Sequence, residues 1–369
     1  MNRFSVPPLD IVKVGFIGLG YRGLLSLERY TRLEGVGIVA ICDCDLQRLN
    51  AARDVLECPE KVCEYTGADG WKRLCENPEI DLVYICTDWN SHAEIACHAM
   101  ECGKHVAVEV PAATTVEECF ALVRTSKRTG RHCMMLENCI YDVFEMATYH
   151  MARAGVFGDV YHAEGGYIHN IPQLALWRSD FNKEHRGDNY PTHGIAPLCR
   201  LMGIGSEDSL KTITSFSTSV SDGSHIVSII RTEKGRTIIL QHNIQAATPY
   251  TRLYRFIGEK GSVSKYPDER ISMLPDASLW LSEAEMSALI DKYLPDYYSH
   301  VHQIVPENTE ARRLMDYVMD YRLIYCLRNG LPLDMDVYEA AQWSCISELS
   351  HISVENGSAT VAFPDFTAK

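Results

Sequence analysis

Nowhere in the 369-residue chain is there a run of the roughly 18 uninterrupted apolar residues that a membrane span requires. The opening MNRFSVPPLD holds two prolines and no apolar stretch of signal-peptide length, so the expectation is a cytoplasmic protein with no membrane partner. Basic excess is also missing: 35 Lys and Arg face 49 Asp and Glu, a formal net charge of −14. Nucleic acid and anionic lipid need a basic surface, so extended contact with either is excluded and a small neutral or polar ligand fits better. The fourteen cysteines are scattered through a large chain without an export signal, which reads as reduced thiols rather than a disulfide framework. No metal is expected, because a zinc site needs four convergent ligands, usually as spaced pairs. The nearest approach, CHAMECGKH over Cys97 to His105, reads as a helix end, a Gly103 cap and the start of a strand. Repeats and low-complexity linkers are absent too.

What is present is an ordinary globular composition, 46% hydrophobic and 23% charged, in a chain longer than one hydrophobic core usually serves. Two closely joined domains are expected. From Asp10 to about Glu137, short apolar runs (IVKVGFI, VGIVAIC, DLVYIC, HVAVEV, RHCMML) alternate with amphipathic stretches such as DLQRLNAARDVL and VEECFALVRTSKRTG. Nearly continuous apolar strands separated by helices describe βαβ repetition and a doubly wound parallel sheet, a Rossmann domain over residues 1–137. Beyond it the strand-like stretches DVYHAEGGYIHN, KTITSFSTSV, SHIVSIIRT, GRTIILQHN and TRLYRFIGEKGSV follow one another, with turn signals SDGS and EKGR. That pattern predicts an α+β domain over residues 138–369, an open and mainly antiparallel sheet with helices on one face. Its helical tail is expected to pack beside the sheet and near the cleft between the domains.

The stretch VGFIGLGYRGLL carries Gly18-x-Gly20-x-x-Gly23 at the end of a strand and the opening of a helix. In that setting Gly18 permits a tight turn, Gly20 lets a pyrophosphate approach the backbone and Gly23 lets helix and strand pack closely, with Leu19, Tyr21 and Arg22 completing the loop. Asp43 falls 20 residues beyond Gly23 at the end of the second strand. There its carboxylate can accept from both ribose hydroxyls of NAD and repel the 2′-phosphate of NADP; the alternative is that it caps the following helix, a task Asp45 could perform. Other strand ends offer Thr87, Asn90 and His92 in CTDWNSH, Glu109 in VAVEVPAA and Asn138 in LENCIY. Each could line the same crevice, and Thr87, Asn90 and His92 could equally be turn or cap residues. NAD is the expected cofactor.

A Rossmann domain with strand–Glu-x-Pro, followed by an open antiparallel sheet, resembles the glucose–fructose oxidoreductase, inositol dehydrogenase and rhizopine catabolism family. Its ordinary dehydrogenases carry Glu-Lys-Pro and an Asp-x-Gly-x-x-x-His or Asp-x-Gly-x-His element. Here the first reads Glu109-Val110-Pro111, and in GDNYPTHGIAPLCRLMG the acid and histidine positions fall on Thr192 and Ala196. Val110, Thr192 and Ala196 cannot relay the hydroxyl proton of an alcohol oxidation. In their place stands Tyr190-Pro191-Thr192-His193-Gly194. Pro191 suits the first turn of a helix, and Tyr190 and His193, three apart, would lie on one side of it.

The segments ENCIY, GGYIHN, LWRSD, NYPTHG and MDYRLIYCLRNGLPLDMDVYEAAQWS are similar to glycoside hydrolase family 109, the NAD-dependent α-N-acetylgalactosaminidase branch of the same superfamily. The resemblance implies transient oxidation at C3 of the sugar, loss of the acidified C2 proton, elimination at C1, addition of water and return of the hydride. It assigns Tyr190 and His193 to proton transfer, Glu109, Tyr141 and Arg178 to the substrate and nicotinamide pocket, and Trp177 to its wall. Aromatic packing is the other reading of Tyr141 and Trp177, and anchoring of a helix start the other reading of Tyr190 and His193. One departure is plain: the family's Gly-Gly-His-Gly-Gly segment before the late Met-Asp is replaced by VPENTEARRLMD, leaving His300 or His302 as substitutes from another position. The expected activity is glycosidase-like, on an N-acetylhexosaminide or related glycoside. The alternatives are an NAD-dependent sugar or polyol dehydrogenase and a cofactor-bound sugar sensor. Apolar residues at both parities of SHIVSIIRT and RTIILQHN leave a sticky sheet face, which together with the superfamily predicts a homo-oligomer through that sheet.

Overall fold

The apolar runs of the N-terminal segment form a six-stranded parallel sheet in the order β3-β2-β1-β4-β5-β6, in a computed structural model that describes residues 4–171, 181, 184–218, 225–305 and 311–367. The strands are β1 (Val12–Ile17), β2 (Val36–Cys42), β3 (Cys63–Tyr65), β4 (Leu82–Ile85), β5 (His105–Val108) and β6 (Cys133–Met135). Between them run α1 (Tyr21–Tyr30), α2 (Leu46–Val55), α3 (Gly70–Glu76), α4 (Trp89–Glu101) and α5 (Val116–Thr129). Every residue of β4, β5 and β6 is buried, as their uninterrupted hydrophobicity requires of strands covered on both faces. Helix α5 shows how local chemistry sets such boundaries: Thr115 and Glu118 form a reciprocal capping box, and Gly130 ends the helix in the left-handed conformation at φ 66°. Strand β3 and α3 were not among the expected elements, because CEY is a three-residue edge strand without an apolar run.

The second sheet has eight strands in the order β13-β12-β11-β7-β10-β9-β8-β14. They are β7 (Val160–Ile168), β8 (Leu210–Thr218), β9 (His225–Thr232), β10 (Thr237–Asn243), β11 (Arg255–Gly258), β12 (Gly261–Ser264), β13 (Arg270–Met273) and β14 (Val361–Ala362). All pairings are antiparallel except β7 with β10, so the sheet is mixed. Of the two turn signals, EKGR closes the β9–β10 hairpin with Gly235 at φ 82°, while SDGS lies outside the described residues. The single stretch TRLYRFIGEKGSV resolves into the β11–β12 hairpin.

The chain divides into two compact units, Met1–Glu137 with Val301–Ser344, and Asn138–His300 with Cys345–Ala368. It therefore returns to the first unit late, where a single passage after residue 137 was expected. Apolar side chains of the returning segment, among them Val318, Met319, Leu327 and Trp343, are buried, and polar pairs fix its seating: Asp316 and Asp320 on the helix Ala311–Asn329 pair with Arg22 and Arg29, and the Ser344 hydroxyl accepts from the Ala112 amide at 3.1 Å.

In the second unit the helix-covered face buries Ile213, Ile226, Ile230, Ile238 and Leu240. The other face presents Phe216, Val227, Ile229 and Ile239, less completely covered, beside a Glu164–Arg255 ion pair at 2.7 Å. The helix Thr192–Leu201 presses on β7 at a backbone approach that only glycines permit. A Cβ built on Gly165 would meet the Gly194 carbonyl oxygen at 2.4 Å, and one built on Gly194 would meet the Gly166 nitrogen at 2.5 Å. The loop leading into this helix is tied to the helix Ile346–Glu355: the Asp188 amide donates to Ser350 Oγ at 2.9 Å and the Arg186 amide to His351 Nδ1 at 3.0 Å.

Gly194→Ala gains about 1 kcal/mol of helix propensity but inserts a methyl group against backbone, so denaturant unfolding should show a net loss of about 1–3 kcal/mol. Burial pushes the Asp188 carboxyl up to about 7, opposed only in part by the Tyr190 amide it accepts from. The native state then binds more protons than the unfolded chain between about pH 4 and about pH 7, so stability falls as pH rises across that range and levels off above it. Asp188→Asn, shaped like the protonated acid, should flatten that slope in unfolding curves recorded from pH 4 to pH 8, by an amount on the order of 3 kcal/mol across the window.

Candidate functional site

The glycine loop between β1 and α1 has the shape its spacing foretold. Gly18 sits at φ 89°, and a Cβ there would fall 2.5 Å from the Cys86 carbonyl oxygen. A Cβ on Gly23 would lie 1.9 Å from the Gly18 carbonyl oxygen, so the first turn of α1 rests directly on the loop. Gly20 differs: its Cβ would meet nothing nearer than the Arg48 guanidinium at 3.8 Å. The space above Gly20 is therefore open, and α1 begins there without a side-chain cap. A backbone cradle of this kind fits a pyrophosphate, which takes its hydrogen bonds from helix-start amides. Leu19 is buried with its amide donating to Asp43 Oδ2 at 2.7 Å, and the Asp45 amide donates to Asp43 Oδ1 at 2.9 Å. Asp45, not Asp43, caps α2 by accepting from the Gln47 amide. Tyr21 is exposed.

At the carboxyl ends of β4 and β5 the predicted residues separate into different tasks. His92 is buried with its ring between two carbonyls, Pro111 O at 2.8 Å from Nδ1 and Thr87 O at 3.1 Å from Nε2, and the neutral imidazole donates to one of them. Burial lowers its pKa, with those carbonyls pulling the other way. The Thr87 hydroxyl accepts from Ser91 at 2.7 Å, and Asn90 is exposed in the first turn of α4. Glu109 is 8% exposed and its Oε1 lies 2.9 Å from Arg22 Nη2. Arg22 also contacts Asp316, a partner the linear pattern did not reveal, since 294 residues separate the two.

In the second unit Tyr190 precedes the helix Thr192–Leu201 and His193 lies in its first turn. The Tyr190 hydroxyl and His193 Nε2 are 3.3 Å apart, hydrogen-bonded as the three-residue spacing allows. Asp188 Oδ1 accepts from the Tyr190 amide at 3.0 Å and so sets where the tyrosine departs from the loop. Tyr167 was missed as a candidate. Its ring lies 4.9 Å from that of Tyr190 and 5.5 Å from that of His193. The alternation of β7 held the clue, because Tyr167 follows Ala163 and Gly165 on the helix-covered face. Tyr250, its hydroxyl 3.1 Å from Arg252 Nη1, closes the aromatic group against Tyr167 and His169. Arg252 in turn is held by the buried Glu145 at 2.6 Å.

Tyr141 is buried in a short 3-10 turn that begins at the half-buried Asn138. Trp177 and Arg178 lie outside the described residues. His300 and His302 are exposed on the helix Asp296–Ile304.

Known families match the chain on both sides of residue 137, the second model running through the segment 301–344 that packs with the first unit. Residues 12–137 match the model of the oxidoreductase family with an NAD-binding Rossmann fold, and residues 141–225 and 220–369 match the C-terminal domain of glycosyl hydrolase 109. Glycosyl hydrolase family 109 protein 1 of Bacteroides fragilis (strain YCH46) is 45% identical over 403 residues, spanning 98% of this chain and 87% of that protein. An alpha-N-acetylgalactosaminidase of Bacteroides fragilis (strain ATCC 25285) is 44% identical over 402 residues, spanning 98% and 93%. Among solved structures, an oxidoreductase domain protein from Kribbella flavida superposes with a TM-score of 0.76 at 17% identity, over 97% of this chain and 100% of that one, a likeness of fold. The chain is an NAD-binding member of glycosyl hydrolase family 109, built on the oxidoreductase framework.

Proposed function

We propose that the protein is an NAD-dependent glycosidase that cleaves an N-acetylhexosaminide or a related glycoside by way of a transient C3 ketone. The observation that carries this reading is the Tyr190–His193 pair at 3.3 Å, in the same segment as Thr192 and Ala196, the positions to which the resemblance assigns the acid and histidine of the dehydrogenases. Bound NAD would supply a hydride acceptor and donor, and nothing else in the reaction needs it. The glycine loop Gly18, Gly20 and Gly23 would hold the pyrophosphate, and Asp43, with both oxygens oriented by backbone amides, would take the ribose hydroxyls. Glu109 and Arg22 would face the nicotinamide end.

As the hydride leaves C3 the hydroxyl proton passes to the Tyr190–His193 pair. The resulting ketone acidifies the C2 proton, whose removal lets the C1 substituent leave with a proton, after which water adds and the hydride returns to C3. A tyrosine with a reference pKa near 10 cannot serve as a base at neutral pH unaided. His193 supplies the aid by sharing the phenolic proton, and Tyr167 walls the pair with an apolar ring. Asp188 and the Gly165–Gly194 contact fix where the pair sits. The reading also takes the protein as cytoplasmic, which the fourteen cysteine thiols favour. No helix among the described residues is long and apolar enough to cross a membrane.

A second copy is proposed to cover the open face of the second sheet. The register places Ile229 beside Ile239 and Phe216 beside Val227, an apolar centre, with Glu164 and Arg255 continuing the row. Light scattering at micromolar concentration should give at least a dimer mass, and Ile229→Lys should lower it; a monomeric wild type would refute this interface.

The activity is tested with aryl glycosides, reading aglycone and NADH together. Aglycone should appear without net NADH, and the C2 hydrogen should exchange with deuterated water; NADH accumulating with product would identify a dehydrogenase instead, and neither signal a sensor. His193→Ala and Tyr190→Phe should each reduce turnover by about 10²-fold while leaving NAD affinity and melting temperature nearly unchanged. A stable, fully active His193→Ala protein would remove the centre of the mechanism.

A further inference from the structure

Two helices of the first unit, far apart in the chain, face each other through an alternating row of charges. Asp316 and Asp320 stand four apart on the helix Ala311–Asn329 and so share a face. Arg22 and Arg29 stand seven apart on α1 and share one too. Arg29 Nε donates to Asp320 Oδ2 at 2.8 Å, and its Nη1 lies 3.6 Å from Asp316 Oδ2. The guanidinium of Arg22 is held on two sides. Nε donates to Glu109 Oε1 at 3.0 Å, whereas Nη1 and Nη2 reach the two Asp316 oxygens at 3.1 and 3.3 Å. The row thus runs Glu109, Arg22, Asp316, Arg29, Asp320, with the Tyr84 hydroxyl closing it at 3.4 Å from Asp320.

Stability alone does not require this arrangement, since buried ion pairs roughly break even with well-packed apolar groups. Geometry is what it supplies. Asp316 has 5% of its side chain exposed and Arg22 38%, so the row is rigid inside and emerges only at Arg22. That emergence occurs in the first turn of α1, immediately after the uncapped Gly20, beside the loop that fits the pyrophosphate. A planar fork gripped by carboxylates on two sides cannot swing, whereas a lysine there could hold only one partner at a time with defined geometry.

We propose that Asp316 is a positioning residue for the dinucleotide. By gripping one side of the Arg22 guanidinium it holds Arg22, and the Glu109 carboxylate paired with it, in the arrangement that receives NAD, without touching the cofactor itself. The helix Ala311–Asn329 thereby belongs to the cofactor-binding machinery although it lies outside the Rossmann segment of the sequence. This rests on NAD binding by the first unit and is independent of the glycosidase reading.

The test is a double-mutant cycle on the full chain with Asp316→Asn, Arg22→Ala and the double variant, reading NAD affinity by calorimetry and melting temperature on the same samples. Each single variant should weaken NAD by about tenfold, and the double variant should be no weaker than Arg22→Ala to within about twofold, because Asp316 acts through Arg22. Asp316→Glu, which keeps the carboxylate, should recover part of the affinity. Losses that multiply in the double variant, or a folded Asp316→Asn protein with native affinity, would overturn the proposal. Should Asp316→Asn fail to fold, Arg22→Lys decides on its own: it keeps the charge but not the double grip, so a loss of about tenfold supports the proposal and native affinity overturns it. A wild type that binds NAD yet releases no aglycone would sink the glycosidase reading and leave this cycle untouched.

Discussion

The approach of Gly194 to Gly165 and Gly166 is the contact on which the second unit turns. Two backbones meet there at a separation that no side chain would allow, with a Cβ on Gly165 only 2.4 Å from the Gly194 carbonyl oxygen. The helix Thr192–Leu201 is consequently seated on β7 at one register and one height. Its first turn then lies over the end of the strand, where Tyr167 points up from the sheet, and Tyr190 and His193 come down beside it. Substituting any of the three rings changes what the group presents; a side chain at Gly165 or Gly194 shifts the seat on which the group stands.

The first unit relies on the same device for a different end. The Gly23 contact with the Gly18 carbonyl draws α1 onto the glycine loop, leaving open the one glycine, Gly20, over which a ligand can approach. Charge then completes what packing begins. Asp43 ties the loop to the second strand through the Leu19 amide, and His92 fills the space between the loops that follow β4 and β5. Burial pushes the Asp320 carboxyl up to about 6, with Arg29 beside it pulling the other way.

Periodicity in the sequence made most of the architecture legible. Nearly continuous apolar runs predicted the parallel strands to within two residues, and the capping pattern at Thr115 and Glu118 with Gly130 bounded α5. What escaped lacked a local signal: β3 is a three-residue edge strand, β13 and β14 are short, and the parallel β7–β10 pairing depends on topology rather than on either strand. The same distinction runs through the candidate residues. Gly18, Gly20, Gly23 and Asp43 belong to one spaced motif and could be named together, as could Tyr190 and His193 within one helical turn. The contact between Arg22 and Asp316 spans 294 residues, and no spacing rule reaches so far. Tyr167 was open to inference from strand alternation, but only once the covered face of β7 was known.

The Tyr190–His193 pair and the glycine loop thus draw their geometry from separate sources. Tyr190 and His193 are set by the glycine contact beneath them, by Asp188 and Ser350 before them and by Tyr167 beside them, itself against Tyr250, all residues of the second unit. The loop over Gly20 is set by Gly18, Gly23 and Asp43, and its flank by the Arg22–Asp316 grip, all in the first. A framework arranged this way can exchange its acid–base groups without disturbing its hold on the cofactor. The glycine loop accordingly keeps its geometry although Val110, Thr192 and Ala196 stand at the positions where the resemblance puts the ionisable groups of a dehydrogenase.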